Sequence, residues 1–207
     1  MDTTVLFNLT YGLYIVGAMD DTRAVGCTIN TCFQVTSQDP TLAVSINKNN
    51  YTLEAIKKSG RFSLSILAEE SESSVIGAFG FVTSKDTDKY KDFGYDMCEG
   101  TPLVKGVFCG RLILEVTQMV ESGTHVVVLG RLIETIKGEG TPMTYSYYHK
   151  VVKGKAPKNA PTYVEETPEQ TTGNQYVCDI CGYIHEGDDL PDVCPLCKQD
   201  KSHFKKK

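Results

Sequence analysis

The chain has 207 residues, 41% of them hydrophobic, which suits one large domain or one ordinary domain with a small appendage. Its net charge of -5 and pI near 5.4 exclude the basic face with which nucleic-acid binders meet phosphates. The first twenty residues lack a basic leader region, and no later apolar run reaches bilayer length. The chain therefore reads as cytoplasmic, with no membrane partner and with its eight cysteines as thiols or metal ligands rather than disulfides.

From Thr3 to about Tyr148, β-branched and aromatic residues alternate with polar ones. Strands are expected at VLFNL, GLYIVGAM, AVGCTINTCFQVT, TLAVSIN, FSLSIL, GRLILEVTQMVES, THVVVLGRLIETI and MTYSYYHK. TLEAIKKSG is a helix with Asn50 or Thr52 as N-cap and Gly60 as its stop, and a second helix is expected over ESESSVIGAF. Many strands with a few short helices between them imply a mainly β fold, a closed or partly closed antiparallel barrel. No strand–GxGxxG–helix unit supports a dinucleotide fold. From Lys153 to Gln175 the chain turns to Pro, Lys, Glu and Thr and reads as connector, with a domain boundary between Glu165 and Asn174.

The eight cysteines fall into two groups. Cys27, Cys32, Cys98 and Cys109 are scattered singly, as small buried hydrophobes are. Cys178, Cys181, Cys194 and Cys197 form C-x2-C-x12-C-x2-C, and each CxxC knuckle can present both sulfurs to one metal. So short a segment, poor in apolar residues, needs the metal to fold. Four sulfurs in a tetrahedron suit zinc and iron alike. The stretch YVCDICGYIHEGDDLPDVCPLCKQDKSHF, with its CGY and CP knuckles, Gly187, Pro191, Lys201 and Phe204, resembles the rubredoxin-like domain that ends rubrerythrins. The resemblance implies one iron rather than zinc. It also marks one departure, Lys198, where many relatives carry glycine. His185 lies within the loop, but four cysteines leave it no ligand role.

A second signal lies in NTCFQVTSQDP followed by SINKNNYT, where turn N–H groups, hydroxyls and amides gather near Lys48 at a helix start, a setting that attracts phosphate. Together with I..SG.F...IL at Ile56, Ser59, Gly60, Phe62 and Leu67, this segment resembles the flavin reductase family of FMN-binding split barrels. The likeness runs from Thr3 to Tyr163 and takes in SKDTDKY (Ser84–Tyr90) and GTHVVVLGRL (Gly123–Leu132), where Thr124 replaces the family's Asp. It implies a Greek-key split barrel over 1–163, a linker over 164–174 and the rubredoxin-like domain over 175–207. It further implies that Asn30, Thr31 and Cys32 meet the isoalloxazine edge, largely through backbone groups. Ser45, Asn47, Lys48, Asn49 and Thr52 would hold ribityl and phosphate, and Lys89 and His125 would border the pocket. Split barrels of this family are generally homodimers.

Chains joining these two domains are known as high-molecular-weight rubredoxins, and the sequence resembles them over nearly its full length. The resemblance implies an oxidoreductase that takes electrons from NAD(P)H, or from a reducing protein, and passes them through FMN to iron. A flavodiiron protein or another rubredoxin-dependent reductase would accept them. A flavin reductase with a structural zinc tail, and a non-enzymatic redox sensor or binding module, are the alternative readings.

Overall fold

Strands β1 (Tyr14–Asp20) and β2 (Arg23–Ile29) pair antiparallel through a two-residue turn in which Asp21 takes a positive φ of 31°. This is seen in a computed structural model, which describes residues 2, 4–157, 159–163, 175–187 and 189–206. Five further strands join the hairpin: β3 (Cys32–Gln34), β4 (Thr41–Asn47), β5 (Arg61–Leu67), β8 (Phe108–Ser122) and β9 (His125–Lys137). They form one antiparallel sheet in the order β2-β1-β5-β8-β9-β4-β3. A small hairpin, β6 (Tyr95–Cys98) with β7 (Thr101–Val104), forms its own two-stranded sheet packed against β1 and β5.

Side chains on a strand alternate between faces, and here both faces are buried. Val16, Val25, Val44, Phe62, Leu114 and Val128, drawn from strands across the whole sheet, meet in one interior cluster, so the sheet curls around a common core. Helix α1 (Tyr51–Ser59) joins that core through Leu53 and Ile56. It begins at Asn50, whose side chain accepts from Thr52 N at 3.0 Å, and stops at Gly60 with a left-handed φ of 68°. Ile15, next to Val16, points the other way into a second cluster with Leu67, Phe108 and helix α2 (Ser73–Phe81).

The C-terminal residues form a three-stranded antiparallel sheet, with β10 (Gln175–Cys178) between β11 (Ile184–Glu186) and β12 (Phe204–Lys206). This unit is seated on the barrel. Cys178, Cys181, Cys194, Leu196 and Phe204 share the second cluster with Val75, Ile76 and Phe79 of α2 and with Tyr148. Leu196, 1% exposed, packs at this junction; full burial of a leucine is worth roughly 1.5–3 kcal/mol, and the share supplied by the barrel helps hold the two units together.

Three element expectations require correction. VLFNL forms a 3-10 turn over Thr4–Asn8, closed by Asn8 Nδ2 donating to Val5 O, and pairs with no strand. AVGCTINTCFQVT is two strands broken at Asn30 and Thr31. MTYSYYHK ends in helix α4 (Tyr145–Lys150), which Thr144 caps by accepting from Tyr147 N at 3.1 Å while Tyr148 is buried. The short helix α3 (Tyr90–Phe93) was not foreseen. The expected linker, 164–174, lies outside the described residues.

Candidate functional site

The sulfurs of Cys178, Cys181, Cys194 and Cys197 all lie within 4.8 Å of one another, with Cys178–Cys197 and Cys181–Cys194 each 3.6 Å apart. Metal–sulfur bonds of about 2.3 Å in a tetrahedron place the sulfurs about 3.8 Å apart, so the donor set fits a single four-thiolate ion. The two knuckles match. Gly182 N donates to Cys178 O and Lys198 N to Cys194 O, at 2.8 and 2.9 Å, and both Gly182 and Lys198 hold left-handed φ angles, 72° and 60°. Lys198 thus keeps the backbone that glycine would give, at the strain a Cβ brings there. The hydrogen bond with Cys181, and then the backbone N–H groups of Cys197 and Leu196, hold the Cys194 thiol below its ordinary pKa, against burial. His185 turns away to the Asp189 carbonyl, Nε2 to O 2.9 Å.

Beside this cluster opens a cavity of about 630 Å³, within the range of cofactor sites. One wall comes from the barrel: Asn30 at the end of β2, Ser45 and Asn47 on β4, Asn49 before α1, Lys89 before α3, and His125 at the start of β9. Another wall comes from the tail, Val177 to Gly182, including Cys178 and Cys181. A smaller cavity of about 450 Å³ adjoins it, lined by Asn47, Lys48, Asn49, Thr124 and His125.

The polar groups around these cavities are oriented from behind. Thr31 Oγ1 donates to Asn30 Oδ1 at 2.9 Å and its carbonyl accepts from Ser45 N at 3.3 Å. Lys89 is 5% exposed; its ammonium donates to Gly26 O and Phe79 O at 2.9 and 3.1 Å, and burial lowers its pKa to about 8, against an upward pull from Cys27. His125 Nδ1 lies 2.8 Å from Thr124 Oγ1, while Nε2 is buried without a hydrogen-bond partner of good geometry. Burial holds the His125 pKa below its ordinary value, against a smaller upward pull from the Asn159 backbone.

Of the residues expected at a flavin site, the structure brings Asn30, Ser45, Asn47, Asn49, Lys89 and His125 to the larger cavity and Lys48 to the smaller one. The Lys48 ammonium is paired with Glu121 at 2.6 Å. Thr31, Cys32 and Thr52 do not line either cavity. Cys32 sits opposite Val44 in the sheet with its thiol pushed up to about 12 by burial, and Thr52 is fully buried in α1 near Cys27. Sequence reasoning missed a strap. Residues 155–157 and 159–163 cross the cavity, tied by Asn30 Nδ2 donating to Thr162 Oγ1 at 2.6 Å and by Asn47 Nδ2 donating to Asn159 O at 3.2 Å. Pro157 and Pro161, which stiffen such a segment, were its one legible sign.

Residues 6–154 match the flavin reductase like domain and residues 176–205 the rubrerythrin, rubredoxin-like domain. The chain is 38% identical to the high molecular weight rubredoxin of Moorella thermoacetica, with 99% of each chain covered. It is 35% identical to a ferric-chelate reductase (NAD(P)H) of Archaeoglobus fulgidus over 80% of this chain and 99% of that one. Among solved structures, the flavin reductase of styrene monooxygenase from Pseudomonas putida superimposes with a TM-score of 0.61 at 18% identity, covering 70% of this chain and 92% of that one. An FMN-binding protein from Thermus thermophilus gives 0.59 at 20% identity, covering 63% and 73%. No helix among the described residues is long and apolar enough to cross a membrane.

Proposed function

We propose that this chain, which belongs to the flavin reductase-like family and carries a rubredoxin-like domain at its C-terminal end, is an oxidoreductase carrying electrons from NAD(P)H by way of FMN to one four-thiolate iron. From the iron they would pass to a rubredoxin-dependent terminal reductase such as a flavodiiron protein. The observation that carries this reading is the shared cavity: barrel groups suited to a flavin form one wall and the knuckle holding Cys178 and Cys181 forms another. FMN supplies the conversion of a two-electron hydride donor to a one-electron iron acceptor.

The chain's own residues divide the work of binding. Asn30, Ser45, Asn47 and Asn49 offer amide and hydroxyl groups to the polar part of the cofactor, with Lys48 near the smaller cavity for its phosphate. His125 and Lys89, the latter a buried positive charge, border the cavity along the same wall. Thr31 and Cys32 act through the backbone of the β2–β3 break, and Thr52 through the start of α1. Cys178, Cys181, Cys194 and Cys197 hold the iron. NAD(P)H as donor is supported by the Archaeoglobus relative named for it.

The strap over the cavity supports retention of FMN, in contrast to a flavin reductase that releases its product. Division into a barrel over 1–163, a linker over 164–174 and an iron domain over 175–207 belongs to the same proposal, as does a cytoplasmic setting that keeps thiols reduced. So does a homodimer, for which the exposed run Val5, Leu6, Phe7 and Leu9 is a suitable contact.

The purified protein should show flavin bands together with ferric-thiolate absorption and contain one iron per chain. In rapid mixing with the donor, the flavin should bleach no later than the ferric band. Zinc in place of iron, or iron reduction ahead of flavin, would overturn the reading.

A further inference from the structure

Helix α2, SSVIGAFGF, has no polar stripe beyond its first turn. A helix apolar all round is buried on more than one side, and α2 is. Thr28 of β2 lies on one side of it, its Oγ1 donating to the Ile76 carbonyl at 3.4 Å. On another side, Ser73 Oγ donates to Pro195 O at 3.4 Å, and Leu196 packs with Val75, Ile76 and Phe79. At the centre of that contact is Gly77. A methyl group there would lie 2.8 Å from Cys197 Cα and closer still to the Leu196 carbonyl oxygen, both backbone positions that no rotamer change can clear. Ile76 and Phe79 of the same helix line the cavity. One helix thus carries the cavity wall and the seat of the second metal knuckle.

From this we infer that Gly77 is a positioning residue for electron transfer within the chain: its missing side chain lets the Cys194–Cys197 knuckle sit against the backbone of α2, bringing the iron-bearing unit to the edge of the flavin cavity. The inference rests on reading the cavity as the flavin site and the thiolate cluster as the iron site. Each transfer removes one electron from reduced flavin and turns one ferric iron ferrous. The single iron would pass its electron to the terminal acceptor before taking the second, so two transfers would use the pair that one NAD(P)H hydride delivers, and its proton would pass to solvent. Gly77 touches neither cofactor and takes part in no bond change. It sets how closely the two units approach.

The test compares the full-length parent with Gly77→Ala, Gly77→Val and, as a control on the same helix, Ser74→Ala, whose hydroxyl bonds Glu72. Flavin and iron content are measured first, and a parent lacking either one refutes the underlying reading rather than this inference. In both Gly77 variants, flavin reduction by the donor should keep the parent rate while iron reduction slows, on the order of tenfold to a hundredfold for Val, because an undocked iron unit meets the flavin only through its tether. Small-angle scattering, which needs no turnover, should show the Gly77 variants more extended than the parent and Ser74→Ala unchanged. If Val prevents folding, Ala decides, because its methyl already collides with backbone. Gly77 variants that stay loaded, remain as compact as the parent and reduce iron at the parent rate would overturn the inference.

Discussion

Asn30 holds Thr162, its Nδ2 donating to the threonine Oγ1 at 2.6 Å, and so ties the end of β2 to the strap. The same hydroxyl lies 3.4 Å from Tyr145 OH, which anchors the strap to α4 as well. Replacing Thr162 with Val keeps the shape and removes the acceptor. A hydrogen bond of this kind contributes about 0.5–1.5 kcal/mol, so FMN should leave the variant about three- to tenfold faster in a dilution or dialysis measurement. An unchanged rate would mean that the strap does not retain the cofactor.

Lys48 has a competitor for any phosphate in Glu121, whose carboxyl the lysine holds below its ordinary pKa. Glu121→Gln should therefore tighten FMN binding and Lys48→Ala should weaken it. The pair is exposed, so no more than about two- to fivefold either way is expected. Titration of the apoprotein with FMN gives both numbers. Shifts of the same sign in both variants would place the phosphate elsewhere.

Burial lowers Lys89 from 10.5 to about 8. The folded state then binds fewer protons than the unfolded state between these values, so stability rises with pH across that window, by about 3 kcal/mol in all. Lys89→Met should flatten that rise while keeping the packing beneath Phe79. Denaturant midpoints of parent and variant at pH 7.5, 9 and 10 test the sign, and parallel curves would show that Lys89 is not the titrating group.

Lys198 holds a left-handed backbone that favours glycine. Lys198→Gly should make the iron site more durable by about 1 kcal/mol, read as slower loss of ferric absorption to a chelator. Faster loss would mean that the lysine side chain contributes more than the strain costs.

The parts of this molecule that were legible in its sequence are those specified locally. Helix α1 is bounded by the amide of Asn50 and the free φ of Gly60, and the four ligands are written in their spacing. The strands of the main sheet announce themselves by β-branched residues. Helix α4 misled because Tyr145, Tyr147 and His149 alternate with other residues as in a strand, whereas the Thr144 cap and the burial of Tyr148 decide for helix. Thr31, Cys32 and Thr52 were carried over through the family resemblance; here the Thr31 hydroxyl turns to Asn30, Cys32 lies opposite Val44 and Thr52 is buried in α1. The strap depends on contacts such as Asn30 with Thr162, 132 positions apart, that no local pattern encodes. The seat of the tail did leave a trace: α2 is too apolar for a helix with one face in water.

That helix has a consequence during biosynthesis. A nascent chain emerges from its N-terminus at about 5–20 residues per second, so α2 is finished long before Cys194 and Cys197 leave the ribosome. Until those thiolates find a metal, Val75 and Ile76 lack the Leu196 cover they have in the finished protein. Metal supply would then govern how much soluble protein a cell accumulates, as well as how much of it is active. Under iron limitation the full chain should shift toward the insoluble fraction, and restoring iron during synthesis, rather than after it, should return it to solution.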